Sequence, residues 1–187
     1  MKQLWVLAGG NGAGKSTFYY KMLKPLGMPF INADEIAKQY FPEDPEGSSY
    51  KAAKLAEMLR VEQLQHGASF CFETVFSHPS KIDFLAQAKT LGYQVILVVI
   101  HLSSTSLNKA RVSQRVEEGG HSVPDDKIES RIPRLLENVK NAIPLCDEVR
   151  ALDNSRLDNP YVPIFAIKNG RINWHIDPPP DWAKKLI

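Results

Sequence analysis

Gly9-Gly10-Asn11-Gly12-Ala13-Gly14-Lys15-Ser16 fits the pattern G-x-x-x-x-G-K-[ST]. Glycines at this spacing let the backbone curl until successive N–H groups point into one concavity, which suits phosphate oxygens. Lys15 is placed to reach the β- and γ-phosphates as a point charge, and the Ser16 hydroxyl to ligate Mg²⁺, while Thr17 completes the nucleotide-binding string. The flanks supply the order this chemistry needs. Gln3 to Ala8 (QLWVLA) is a short apolar run that predicts a strand, and Lys15 to Leu23 (KSTFYYKML) continues as a helix whose N-terminal dipole adds to the anion site. A base-reading N-K-x-D motif of the kind that selects GTP is not formed: the nearest string, Asn108-Lys109-Ala110-Arg111, has no Asp. ATP is therefore the expected nucleotide.

Working outward, apolar runs alternate with helical patterns, the arrangement of a mostly parallel sheet with helices on both faces, an α/β architecture. Pro29 to Ile31 predicts a second strand, Asp34 to Tyr40 a brief helix stopped by Pro42, and residues 47–66 a longer helix with Gly67 past its end. Ser69 to Val75 reads as the third strand and Ser80 to Leu91 as a helix closed by Gly92. Tyr93 to Leu102 contains VILVVI, a run typical of a strand buried on both faces. Helices follow over 104–118 and 125–142, separated by Gly119-Gly120-His121-Ser122-Val123-Pro124. Glu148 to Leu152 predicts a fifth strand, and the segments 162–168 and 171–176 around Asn169-Gly170 a C-terminal β-hairpin. Pro178-Pro179-Pro180 reads as an extended tail.

Composition bounds the function classes. At 187 residues the chain is expected to form one domain over 1–187, and 43% hydrophobic with 24% charged residues is ordinary for a soluble globular protein. A net charge of +2 is too small for a nucleic-acid footprint, so no nucleic-acid partner is expected. Cys71 and Cys146 lie far apart in no metal-like spacing and read as reduced thiols. The longest unbroken apolar run, Val95 to Ile100, is too short to span a bilayer, and the N-terminus passes straight into the first strand with no room for a signal peptide. A cytoplasmic protein with no membrane partner is the expectation.

In open α/β sheets, ligands collect beyond the carboxyl ends of the strands. Asp34, Glu73 and Asp153 fall there. Asp34 is either a helix N-cap or a general base that takes a proton from an acceptor hydroxyl. Glu73 interrupts the apolar FCFE, where a carboxylate is costly unless something binds it, so it serves either the Mg²⁺ shell or the acceptor; Thr74 stands beside it. Arg111 and Arg115 share a helix face at i, i+4, and Arg131 borders the apolar stripe of the next helix. Together they flank the glycine loop, so residues 111–131 read as a lid that brings guanidinium forks to the transferring phosphate. His121 reads as a loop-structuring or substrate-binding residue rather than a metal ligand.

The blocks GGNGAGKST, INADEIA, FETVFS, ARVSQRVEEGGHSVPDDKIESRIPRLLEN and LDNS, in that order over roughly residues 3–155, resemble the zeta-toxin family of P-loop kinases. Members of that family phosphorylate a hydroxyl of UDP-N-acetylamino sugars. The resemblance implies that Lys15 and Ser16 bind ATP–Mg²⁺, that Asp34 is the base, and that Glu73 and Thr74 contact the sugar nucleotide. It further implies that Arg111 or Arg115 together with Arg131 contacts the phosphates and that Asn154 lies near the adenine. An antitoxin is the partner it suggests, although the phosphate loop begins at residue 9, so the N-terminal helical extension that makes antitoxin contacts is not expected. A small-molecule acceptor, UDP-N-acetylglucosamine foremost, is anticipated, with Lys51, Lys54 or Arg60 holding its diphosphate. The alternatives are a housekeeping kinase for another metabolite and an ATP-dependent switch with no acceptor.

Overall fold

The structure, a computed structural model, describes residues 1–120 and 122–187. β1 (Gln3–Ala8) leads through the glycine loop into α1 (Lys15–Phe18), followed by β2 (Phe30–Ile31), α2 (Ala33–Tyr40), α3 (Ser49–His66) and β3 (Phe70–Thr74). Then come α4 (Ser80–Thr90), β4 (Gln94–His101), α5 (Thr105–Glu117), α6 (Asp125–Ala142), β5 (Glu148–Asp153), β6 (Val162–Lys168), β7 (Arg171–Trp174) and α7 (Asp181–Lys184). The strands form one seven-stranded sheet in the order β2-β3-β1-β4-β5-β6-β7. β1 to β5 run parallel, and β6 and β7 add an antiparallel edge.

Period-two alternation along the strands sorts side chains onto two faces. Leu4, Val6 and Ala8 of β1, Phe70 and Phe72 of β3, and Val95, Leu97 and Val99 of β4 face one core, which α2, α3, α4, α6 and α7 cover. Trp5, Leu7, Cys71, Ile96, Val98 and Ile100 face the other, where Phe18, Tyr19 and Leu23 cover them. Because both faces of β4 are packed, its apolar run is continuous rather than alternating. The same parity decides where chemistry sits. Glu73 is two residues beyond Cys71, so its carboxylate emerges on the face that carries α1 and the end of the glycine loop.

Two segments differ from the sequence reading. The helix expected over Lys15–Leu23 winds normally only to Phe18, widens into a π-turn over Tyr19–Leu23, and ends in a 3₁₀ turn at Lys24–Leu26. Pro25 in that turn has no N–H with which to extend an α-helix. Tyr19 anchors the wide turn by donating its hydroxyl to Met28 O at 2.8 Å and stacking on Phe30 at 3.8 Å. Beyond Pro180 the tail forms α7, which buries Ala183 and the following Leu186 in the larger core. Four helical residues give too short a periodicity to read from sequence. The hairpin turn is as expected, with Asn169 and Gly170 both left-handed at φ 52° and 72°.

Candidate active site

Gly12 and Gly14 adopt φ of 74° and 94°, the left-handed region in which a side chain is strained. These turns wrap the loop around Lys15, which is buried. Its ammonium donates to Gly9 O and Gly10 O, each at 3.0 Å. Burial is the largest influence on Lys15 and lowers its pKa below the ordinary lysine value. Glu73 and Asp34 pull it back up, while Arg115 and Arg131 lower it further. The lysine therefore sits among two acids and two arginines at the mouth of the loop.

Polar side chains brace the loop from two sides. Asn108 of α5, buried, donates to Asn11 O at 2.7 Å. On the other flank Asn154 donates to Ala13 O at 2.8 Å and its carbonyl accepts from Tyr161 N at 3.3 Å. The Tyr161 hydroxyl donates to Gly14 O at 2.9 Å, and its ring meets Phe18 edge-on at 5.3 Å. A Cβ at Gly14 would collide with the Asn154 amide. Asn154, which the family resemblance places near adenine, thus directs its amide to the loop backbone. Asn108 and Tyr161 were not anticipated. Asn108 stands out in the sequence only within the string that lacks the Asp of a base-reading motif, and Tyr161 lies in a loop with no periodic signal.

At the strand ends the Ser16 hydroxyl donates to Glu73 Oε2 at 2.7 Å. α2 is capped by Asn32, whose side-chain Oδ1 accepts from Asp34 N at 2.7 Å and Glu35 N at 3.3 Å. Asp34 is therefore not the N-cap. The signal was present in Asn32-x-x-Glu35, a cap residue with Glu three positions on. Asp34 sits in the first turn with its side chain exposed at the cleft, and among the described residues its carboxylate has no hydrogen-bond partner.

Asn11, Gly12, Gly14 to Thr17, Asp34, Glu73, Thr74, Arg111, Arg115 and Arg131 all line one cleft of about 480 Å³. Gly9, Gly10 and Ala13 form the back of the loop rather than its lining. Arg131 donates to Asn11 Oδ1 at 3.4 Å, and Arg111 to Ser155 O at 3.5 Å. His121 lies outside the described residues. Val123 does line the cleft, so the segment beyond the glycine pair approaches the phosphate loop.

A second cavity of about 340 Å³ opens past Ala33, Glu73 and Thr74, which it shares with the first. Lys54 and Arg60 of α3 line it, as does Lys81 of α4, which the sequence reading missed; Lys51 does not. A cleft of this kind can hold a nucleotide triphosphate on the loop and an acceptor beside Asp34. Mg²⁺ fits the donor set, since it is commonly held by one or two carboxylates with substrate phosphates and water, and Ser16 and Glu73 offer a hydroxyl and a carboxylate together.

Known proteins share the fold. A protein of Haemophilus influenzae, described as uncharacterized, is 31% identical over 137 residues, covering 70% of this chain and 97% of its own. The AvrRxo1-ORF1:AvrRxo1-ORF2 structure with ATP superposes with a TM-score of 0.73 at 19% identity, over 94% of this chain and 61% of that one. A structure from the PezAT chromosomal toxin-antitoxin system of Streptococcus pneumoniae gives 0.66 at 14% identity, over 89% and 72%. This chain thus spans about three fifths of the AvrRxo1 chain, and what it shares with these structures is the P-loop fold. A sequence profile described as "AAA domain" matches residues 4–137, running through the loop, both candidate acids and the three arginines, and the chain belongs to that family of P-loop proteins.

Proposed function

We propose that the protein is an ATP-dependent kinase that transfers the γ-phosphate to a hydroxyl of a small molecule, with UDP-N-acetylglucosamine as the favoured acceptor. The observation that carries this reading is Asp34: Asn32 does the capping, which leaves a carboxylate with no hydrogen-bond partner among the described residues, in the cleft that holds Lys15. A nucleotide switch has no use for such a group, whereas transfer to an alcohol needs one to take the hydroxyl proton.

In this mechanism the loop N–H groups and Lys15 bind the β/γ-phosphates. The ammonium exchanges Gly9 O and Gly10 O for phosphate oxygens. Ser16 and Glu73 would hold Mg²⁺, which when bound neutralises charge on the phosphates. Asp34 accepts the proton as the acceptor oxygen attacks phosphorus. Arg111, Arg115 and Arg131 supply positive charge around the group in flight, where preorganised donors act most strongly. Thr74, with Glu73 at the mouth of the second cavity, and His121 on the lid loop are assigned to acceptor contacts, and UDP-N-acetylglucosamine is favoured by the five sequence blocks and by the cationic second cavity. The test is ADP release from ATP–Mg²⁺ with and without UDP-N-acetylglucosamine, followed by mass spectrometry of the sugar nucleotide. Release that depends on the acceptor, with one phosphoryl group gained, is expected. Turnover that ignores every acceptor would instead describe a hydrolase or switch.

A further inference from the structure

A separate cavity of about 380 Å³ lies between the end of α1 with its π-turn and the strands β5 and β6, and it shares no lining residue with the candidate active site. Phe18, Met22, Leu152, Pro163 and Phe165 give it apolar walls, and Arg150 and His175 bring polar groups to them. An apolar hollow with a few placed polar groups is the usual make-up of a small-molecule site, because water inside it finds few partners. The Arg150 guanidinium is fixed from two directions. Its Nε donates to Glu148 Oε1 at 2.6 Å, and its central carbon lies over the Trp5 ring, 5.1 Å from the centroid. Among the described residues its Nη donors find no protein acceptor. A guanidinium that gives Nε to one carboxylate can still present its paired Nη donors to a second.

Two walls of this cavity also carry the phosphate loop. Phe18 N and the Tyr161 hydroxyl both donate to Gly14 O, each at 2.9 Å, so the carbonyl next to Lys15 is held from the cavity side. Tyr161 keeps a left-handed backbone at φ 57°, which is costly for a bulky residue and is offset by its bonds to Asn154 and Gly14. A molecule that packs on the rings of Phe18 and Tyr161 does so only while both are docked, and it therefore favours the docked loop.

We infer that this cavity binds an aromatic monocarboxylate, with its rings against Phe18, Leu152 and Phe165 and its carboxylate on Arg150, and that this ligand is an effector that tightens nucleotide binding through Tyr161. Aromatic and proline walls suit a flat ring, and they would leave a second charge on the ligand unpaired. The ligand neither gives nor receives phosphate. The inference takes from the proposed function only that the loop binds ATP, and it stands whether or not phosphate is transferred. Coupling between two sites is reciprocal, so ATP must tighten the effector by the same factor.

The experiment is calorimetric titration of the full chain with 2-naphthoate as the probe and 2-naphthalenemethanol as its uncharged counterpart. Wild type, Arg150→Gln, Arg150→Lys, Ala166→Leu and Tyr161→Phe are each titrated with and without a saturating non-hydrolysable ATP analogue and Mg²⁺. Naphthoate should bind wild type, and bind about tenfold or more weakly both in Arg150→Gln and in Ala166→Leu, which fills the cavity. The uncharged counterpart should bind wild type more weakly by a similar factor. The ATP analogue should bind about fivefold or more tightly with naphthoate present, and naphthoate should gain equally from the analogue. Tyr161→Phe should still bind naphthoate but lose this mutual gain, because the hydroxyl that reaches Gly14 O is gone. If Arg150→Gln loosens the packing on Trp5, its melting temperature shows it, and Arg150→Lys, which should keep most of the binding, carries the test with Ala166→Leu. No binding of naphthoate to wild type, or binding that Arg150→Gln and Ala166→Leu both leave unchanged, overturns the site. Naphthoate and the analogue excluding one another would make the cavity part of the nucleotide's own site, and binding with no mutual gain would remove the effector; each overturns the inference. If the analogue fails to bind at all, the kinase reading falls, and the dependence of naphthoate on Arg150 decides the cavity by itself.

Discussion

Lys15→Ala takes away the charge that in the proposed reaction exchanges Gly9 O and Gly10 O for the phosphates, and it also relieves the desolvation that lowers the Lys15 pKa. The variant should fold with a melting temperature at or above wild type and lose phosphoryl transfer by about 10³-fold, or about 4 kcal/mol of barrier. Steady-state kinetics beside a thermal melt checks both halves, and activity within about tenfold of wild type would remove Lys15 from the transfer step. Asp34→Asn should keep ATP affinity and lower kcat by roughly 10²-fold or more, because the amide cannot accept the proton. Since Asn32 caps α2, the same variant should barely move the melting temperature; a variant that melts early and turns over normally would mean that Asp34 serves the helix alone. That Asn32 rather than Asp34 caps α2 was legible in Asn32-x-x-Glu35. Whether Glu73 serves a metal or the acceptor was not separable by sequence, because its partner Ser16 lies 57 residues away along the chain.

The helices α5 and α6 stand on either side of the Gly119-Gly120 pair in sequence. Arg111 and Arg115 ride on one and Arg131 on the other, yet both helices touch the phosphate loop directly, through Asn108 to Asn11 O and through Arg131 to Asn11 Oδ1. Arg115→Ala and Arg131→Ala should each lower kcat by roughly 10²-fold or more, with Lys a poor replacement because it lacks the planar fork. Rapid-quench measurement of the transfer step decides this, and full recovery with Lys at both positions would count against a phosphate clamp. The arginines were legible from their spacing around Gly119-Gly120. The braces Asn108, Asn154 and Tyr161 were not legible as braces. They work by reaching backbone carbonyls far away in sequence, and an asparagine that does so looks like any other buried asparagine. Lys81 was missed for the same reason: it joins Arg60 only once α3 and α4 lie side by side.

For the molecule as a whole, the parallel sheet was readable because VILVVI, QLWVLA and FCFE carry their burial in their composition, and the hairpin because Asn-Gly demands left-handed backbone. Registers and faces came only from the structure. Acid stability is a whole-molecule property, and one of its sources is a buried histidine. His101 at the end of β4 is buried against Trp182 at 4.7 Å, and burial lowers its pKa from 6.5 to about 4 despite the nearby Asp153. The unfolded chain therefore binds a proton that the folded chain refuses. Its contribution is fully present above pH 6.5, declines as pH falls toward 4, and amounts in total to about 3 kcal/mol. Urea unfolding from pH 7 to 4 should show a shallower loss for His101→Gln than for wild type, and parallel profiles would exclude His101 as the source. The loop braces carry a different consequence, one of timing. Translation delivers the glycine loop before its supports, which arrive 97, 141 and 147 positions later along the chain. A nascent or partly unravelled chain has the phosphate-binding letters without the phosphate-binding shape. If the loop takes ATP as proposed, the nucleotide binds only chains in which Asn108, Asn154 and Tyr161 have docked, so it should stabilise the folded chain over partly folded ones.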